Sequence, residues 1–430
     1  MSTQTTGAES LQGNEAQNLQ SGPTKPVKLP FQLLLSLANT VVWLSIIPLQ
    51  QLLLPNQVAA IDPKNKVAML SLVLSLSGIT SVIAQPLAGA FSDRTTSRFG
   101  RRRPWILAGL MLTVISMVLL ANAHSIIALV ILFSIFGLVM GMILSPLLAI
   151  IPDMVPVKQR AVVSAFVGLA QPLGILIGII LIAQVIKSTQ TSYYVIAGIL
   201  TVVLAIFLLV TREEPLAKDA LPPFSWKEFF TSFFSPLKSA DYRYTWIARF
   251  LVILAQTVLV EFILYYLQDV IHYDRLFPGQ TADQGVAMFQ GIETLALIVS
   301  TIVSGIISDK LQRRKPFVIA ASLIMTVALF LIAFVPSWPV VLAVAVIFGI
   351  GFGTYLSSDI ALATQVLPKA QSQGKDLGLI TAANILPELL FPLIAAIAFS
   401  LFNGYPAAFA IAGIATLLGA VIIIPIKSVR

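Results

Sequence analysis

The sequence predicts an all-α integral membrane protein of twelve transmembrane helices, built as two parallel six-helix repeats. Three observations lead there. The 430 residues are 57% hydrophobic and only 11% charged, whereas soluble domains carry about 25% charged residues. Twelve largely apolar stretches each reach the length of about 20 residues that a spanning helix needs. Residues of the first half also recur in the second at fixed spacings.

Taken in order, residues 1–29 are rich in Gln, Ser, Gly and Thr and lack the apolar core of a signal peptide. They read as a disordered cytoplasmic tail. Spans are expected at 30–53, 67–91, 104–122, 125–150, 161–187 and 192–211, forming a first bundle over 30–211. A charged, Pro-containing linker covers 212–243, where "SWKEFFTSFFSPLK" spaces its aromatics as an amphipathic helix on the inner leaflet would. The second bundle, 244–430, holds spans at 244–268, 284–308, 316–335, 339–366, 377–402 and 405–426. Prolines inside spans, such as Pro48, Pro86, Pro146, Pro172, Pro387 and Pro392, are tolerated because neighbouring groups re-satisfy the freed backbone.

Lys and Arg set the orientation. With the N-terminus inside, 22 of the 27 fall on the cytoplasmic side, four on the opposite side, and Arg249 lies within a span. That asymmetry is a positive-inside pattern with both termini cytoplasmic and the lipid bilayer as solvent. The formal charge of +8 therefore reports topology. A nucleic-acid partner would need a basic face on a soluble domain and is not expected. With no cysteine and two separated histidines, His124 and His272, neither a metal site nor any cofactor is expected. No phosphate-binding G-x-x-x-x-G-K-[ST] loop is present, which argues against primary pumping.

The repeat is visible residue by residue. Pro104, Gly137, Gly141, Leu144, Ser145 and Pro156 match Pro316, Gly349, Gly353, Leu356, Ser357 and Pro368, each 212 positions on. Gly89, Ser92 and Asp93 match Gly305, Ser308 and Asp309 at 216, the first loop being four residues longer. Six spans per half is an even number, so both halves enter from the same side and are related by an axis along the membrane normal.

The loop "GAFSDRTTSRFGRRRPW" (89–105), with Gly89, Ser92-Asp93-Arg94 and Gly100-Arg101-Arg102, resembles the signature loop of major facilitator carriers. In its fuller wording it is similar to that of sucrose–proton symporters, near the glycoside–pentoside–hexuronide cation symporters. "SSDIALATQVLP" (357–368) and "GKDLGLITAANILP" (374–387) look like the helix 10–11 segment of bacterial members of that group. The resemblance implies a monomeric secondary transporter in the plasma membrane, not an enzyme. It implies a sugar or glycoside cargo, disaccharides included; the first-half spans lack the acids that bind the cation in many of that group, so a proton on the second-half acids is the simpler partner, with uncoupled facilitation the alternative. It also implies a cytoplasmic gate of Gly89, Asp93, Arg94, Gly100, Arg101, Asp153 and Asp309. In that gate Asp93 would face the N-terminus of helix 11 near Gly374–Leu377, and Asp153 would pair with Arg94 or an arginine of 101–103.

An ionisable group at the centre of a span costs roughly 2.5–3.5 kcal/mol on insertion scales, so each one calls for a reason. All lie in the second half: Arg249, Glu261, Glu293, Asp359 and Glu388. Arg249 and Asp359 come out at similar depth on helices 7 and 10, where an ion pair would satisfy both. Glu293, about 14 Å in at 1.5 Å per residue, and Glu388 are the leading carboxylates for proton exchange, with Glu261 third. Each could instead be a fixed link between helices. Candidate sugar ligands are Asn39, Trp43, Gln256, Tyr355 and Asn384, offering amides for hydroxyls and ring faces for C–H groups. Gln50, Gln85 and Gln171 add amides; Tyr265 and Tyr266 of helix 7 offer further ring faces, the alternative being packing or an interface belt that only marks the outer boundary. An exporter on the same fold would need a greasier interior, and a non-transporting sensor would be expected to show degraded gate loops.

Overall fold

The computed structural model describes residues 26–186, 188–211, 213, 239–311, 313–365, 373–402 and 404–426. The expected tail and most of the linker lie outside them. The described chain is helical almost throughout. The first half holds α1 (Leu29–Ile61), α2 (Lys66–Asp93), α3 (Arg103–Ala121), α4 (Ile126–Met154), α5 (Lys158–Val185) and α6 (Thr189–Val210). The second holds α7 (Ala240–Asp269), α8 (Ala282–Leu311), α9 (Lys315–Phe334), α10 (Trp338–Gln365), α11 (Gln373–Leu401) and α12 (Tyr405–Ile423). Eleven of these are long and apolar enough to cross a membrane over their described residues. The remaining one, α11, is 29 residues long.

Local sequence explains where the helices start and bend. Pro104, Pro316 and Pro406 sit in the first turns of α3, α9 and α12, where a missing N–H costs nothing. Ser125 and Ser188 cap α4 and α6 by accepting from Ala128 N and Thr191 N. The α-helix of α5 is interrupted at Leu169, three residues ahead of Pro172, whose ring and absent donor break the preceding turn. Two π-turns occur, Leu49–Leu53 in α1 and Leu181–Val185 in α5. Several ends differ from expectation. Helix α1 continues through its π-turn to Ile61, with Pro55 opening the last α-helical segment. Helix α7 begins at Ala240, inside the expected linker, with Asp241 complementing the helix dipole of its first turn.

Side chains facing away from neighbouring helices are large and apolar, as at Ile127, Leu209 and Phe334. Water would penalise such a surface and lipid does not. Within the first half, α1 packs on α5 and α6, α2 on α4, and α3 on α4 and α6. Within the second, α7 packs on α11 and α12, α8 on α10, and α9 on α10 and α12. Every pair reappears with six added to both helix numbers. The halves meet chiefly along α2–α11 and α5–α8, two interfaces exchanged by the same operation. One end of the molecule carries the loops around residues 94–102 and 313–314, and we call it the basic end; the opposite one is the far end.

Glycine sets the close crossings. A methyl group on Gly137 would come within 2.7 Å of Ser77 Oγ on α2, and one on Gly349 within 2.5 Å of the Glu293 carbonyl on α8. Hydroxyls lace the same crossings, Ser77 to Phe133 O at 3.1 Å and Ser300 to Gly349 O at 3.2 Å. Such contacts replace a hydrophobic driving force that does not exist between helices in lipid. Either Gly137→Leu or Gly349→Leu should therefore cost about 1–3 kcal/mol by overpacking. The cost will show as a lowered melting temperature of the purified protein, whereas Gly198→Leu, with open space around it, should leave that temperature unchanged.

Candidate functional site

A buried ion pair with a tyrosine forms a triad between α7 and α10. Arg249 Nη1 donates to Asp359 Oδ2, and Tyr355 Oη donates to Asp359 Oδ1 at 2.8 Å. Tyr355 and Asp359 are one helical turn apart on α10, which puts both on the face that meets α7. The ion pair is enclosed, with Arg249 8% and Asp359 1% exposed. Phe352 stacks on the Tyr355 ring with planes 3° apart, which fixes the hydroxyl toward the carboxylate.

A second polar cluster surrounds Glu293, which is 1% exposed. Its described partners are neutral amides: Gln290 Nε2 donates to Oε2 at 2.9 Å, and Gln256 Nε2 on α7 approaches Oε1 at 3.4 Å. The repeat gives this residue a control. Adding 216 to Ser77 gives 293, and both residues lie opposite the matching glycines Gly137 and Gly349. A serine bonded to the next helix is enough for the crossing in the first half. In the second half the same position bears a carboxylate clasped by amides.

The other interior candidates are more dispersed. Glu261 is buried on α7. Asn39 has no exposed surface and donates to Leu35 O of its own helix at 2.8 Å. Trp43 packs where Gly174 brings α5 against α1. The side chains of Asn384 and Glu388, both on α11, and of Asp309 lie outside the described residues. For Tyr265 and Tyr266 the structure favours packing over the interface belt. Both are fully buried, and their hydroxyls donate to Pro55 O at 2.8 Å and Ile332 O at 3.0 Å. Packing between helices, not the lipid boundary, holds them there.

At the basic end, Arg102 binds both Asp93 and Asp153, and Arg101 also binds Asp153. Arg102 is 3% exposed and donates to Ser92 Oγ at 2.6 Å. Asp93 is thus engaged within its own half, and the side chains of Gly374–Leu377 on α11 lie outside the described residues. Arg94 closes α2 through its backbone N–H on Phe91 O at 3.1 Å. Gly89 leaves room for Ser145, whose Oγ would lie 2.8 Å from an added methyl. The second half repeats part of the wiring, with Arg314 on Ser308 Oγ and Lys315 on Ile424 O and Ile426 O.

Glu213 is an unforeseen member of this cluster. Its Oε2 accepts from Arg102 N at 2.8 Å, and burial raises its carboxyl above the usual range against the pull of the loop N–H groups. Gly100, at φ 95, passes so close that a methyl there would lie 2.5 Å from Glu213 Cβ. Its position just past α6 was the available clue, but nothing in sequence shows that the loop folds around it.

The family described as Major Facilitator Superfamily matches residues 32–292 and 280–429. "Proton-associated sugar transporter A" of Homo sapiens is 50% identical over 56 residues, 13% of this chain and 8% of that protein. "Sucrose transport protein SUC4" of Arabidopsis thaliana is 29% identical over 109 residues, 22% of this chain and 21% of that protein. "Sucrose transport protein SUT1" of Oryza sativa subsp. japonica is 37% identical over 59 residues, 14% of this chain and 11% of that protein. The match thus covers about a fifth or less of each relative's length. Among solved structures, a bacterial homolog of the human lysosomal transporter Spinster, inward-facing and unoccupied, aligns with TM-score 0.68 at 16% identity, covering 93% of this chain and 96% of that one. A variant of the nucleoside transporter NupG aligns at 0.72 and 13%, covering 92% and 98%. At such identities the two structures speak for the fold alone.

Removing one partner of the α7–α10 pair leaves an uncompensated buried charge, at a cost of about 3–5 kcal/mol. Asp359→Asn should therefore reduce the yield and melting temperature of folded protein. The joint replacement Arg249→Met with Asp359→Leu should recover both, as measured by size-exclusion and thermal unfolding.

Proposed function

The chain belongs to the Major Facilitator Superfamily of secondary transporters, and we propose that its cargo is a sugar or glycoside moved together with a proton. The observation that carries this reading is the Glu293 cluster: a buried carboxylate whose described partners are amides. Carboxylates and amides are the groups that bind sugar hydroxyls, and a carboxylate without a fixed cation can gain and lose a proton as the cycle proceeds. The local likeness to sugar carriers supports the same cargo. Alternating access would proceed by rocking one bundle against the other about this interior. The basic end would face the cytoplasm of the plasma membrane, in keeping with the distribution of Lys and Arg.

In this reading the Arg249–Asp359–Tyr355 triad and the Glu293 cluster have different tasks. The triad holds α7 to α10 and keeps a cation inside the second bundle. Glu293 exchanges the proton, and Gln256 relays the change of hydrogen bonding to α7. Reconstituted protein with an acidic outer medium should accumulate labelled mono- or disaccharide, and a protonophore should abolish the accumulation. Glu293→Gln should lose uphill accumulation and keep exchange of sugar for sugar. A panel of sugars without uptake would overturn the cargo, while uptake indifferent to the protonophore would overturn the coupling.

A further inference from the structure

Helices of both halves meet at the far end. There, polar side chains join the two halves. Asn56 at the end of α1 donates to both oxygens of Asp283 in the first turn of α8, at 2.9 and 3.1 Å. Lys66, opening α2, donates to Asp269 at the end of α7 at 2.7 Å and lies 4.6 Å from the centre of the Tyr265 ring. Tyr265 itself donates across to Pro55 O, and Gln284 approaches Gln184 of α5 at 3.4 Å.

We infer that Asn56–Asp283 and Lys66–Asp269 form the latch that closes the transport path toward the far end, and that their release opens it. Each acid belongs firmly to the second half. Asp269 accepts from Tyr405 Oη of α12 at 2.6 Å, so Tyr405 is the positioning residue that keeps one carboxylate oxygen turned toward Lys66. Asp283 is carried by the first turn of α8. A bond to either acid is thus a measure of how far apart the halves stand. The pairs also suit repeated breaking. Lys66 and Asp269 are partly exposed, with side chains 17% and 36% accessible, so water can take over their hydrogen bonds as the halves part. The enclosed Arg249–Asp359 pair has no such substitute.

The first half has irregular backbone where the crossing contacts arise. The π-turn Leu49–Leu53 directly precedes Pro55 and Asn56, and the π-turn Leu181–Val185 contains Gln184. Such turns recur at functional positions because they re-aim side chains and loosen a helix locally. The α1 π-turn packs against α7 and buries Gln51, which makes residue 51 a reporter of whether the latch is shut.

The chain has no cysteine, so the full-length protein in sealed vesicles can carry a single one at Gln51→Cys. A thiol reagent that does not cross membranes is applied from the far-end side, which requires no knowledge of the cargo and separates this test from the sugar reading. Lys66→Glu and Asp269→Lys should each raise the labelling rate severalfold, and the two together should return it to the starting value. The isosteric exchange gives an independent arm: Asn56→Asp should raise labelling by setting two carboxylates face to face, and adding Asp283→Asn should reverse it. Tyr405→Phe should raise it to a smaller extent with the melting temperature unchanged. Single substitutions that leave labelling unchanged in folded protein, or paired exchanges that fail to restore it, would overturn the latch.

Discussion

An ionised side chain inside a bilayer has to bring its own solvation, and the second half of this protein is organised around that requirement at Arg249. The guanidinium is met by Asp359, and Asp359 is met again by Tyr355. The helices bearing these groups cannot slide past one another without exposing a charge to hydrocarbon. The pair therefore ties α7 to α10. Glu293 lies on the neighbouring α8 with amides for company. Its described partners include no cation, unlike those of Asp359.

Symmetry sharpens this distinction. The crossings α2–α4 and α8–α10 share glycines at 137/349 and 141/353 and the same use of hydroxyls on facing carbonyls. Helix packing needs only the serine that the first half uses at position 77. A carboxylate at the matching position of the second half costs desolvation and adds the contact with Gln256 of α7. The basic end shows a related asymmetry. Arg102 with Ser92 and Arg314 with Ser308 are shared wiring, while Glu213 ties only the first-half loop to the chain leaving α6.

Much of the architecture was legible because a bilayer imposes long-range order on a sequence. Apolar length marks the helices, and the 212/216 register marks the halves. The meeting of Arg249 with Asp359 could be anticipated too, since two opposite charges at one depth have few other ways to be satisfied. What stayed hidden depends on side-chain direction across the two halves. Sequence left Tyr265 open between ligand, packing and boundary roles, because aromatic composition cannot tell lipid from a facing helix. Lys66, Asp269, Asn56 and Asp283 sit at helix ends, where polar residues are ordinary, so only the assembled fold shows them paired. The π-turn before Asn56 has no sequence mark beyond the prolines on either side of it.

The proposed proton exchange at Glu293 can be counted directly. Titration calorimetry of sugar binding, repeated at one pH in buffers of different ionisation enthalpy, counts the protons taken up or released with the cargo. The account predicts a nonzero count for the natural protein and a count near zero for Glu293→Gln with sugar still bound. Equal counts in the two proteins would contradict it.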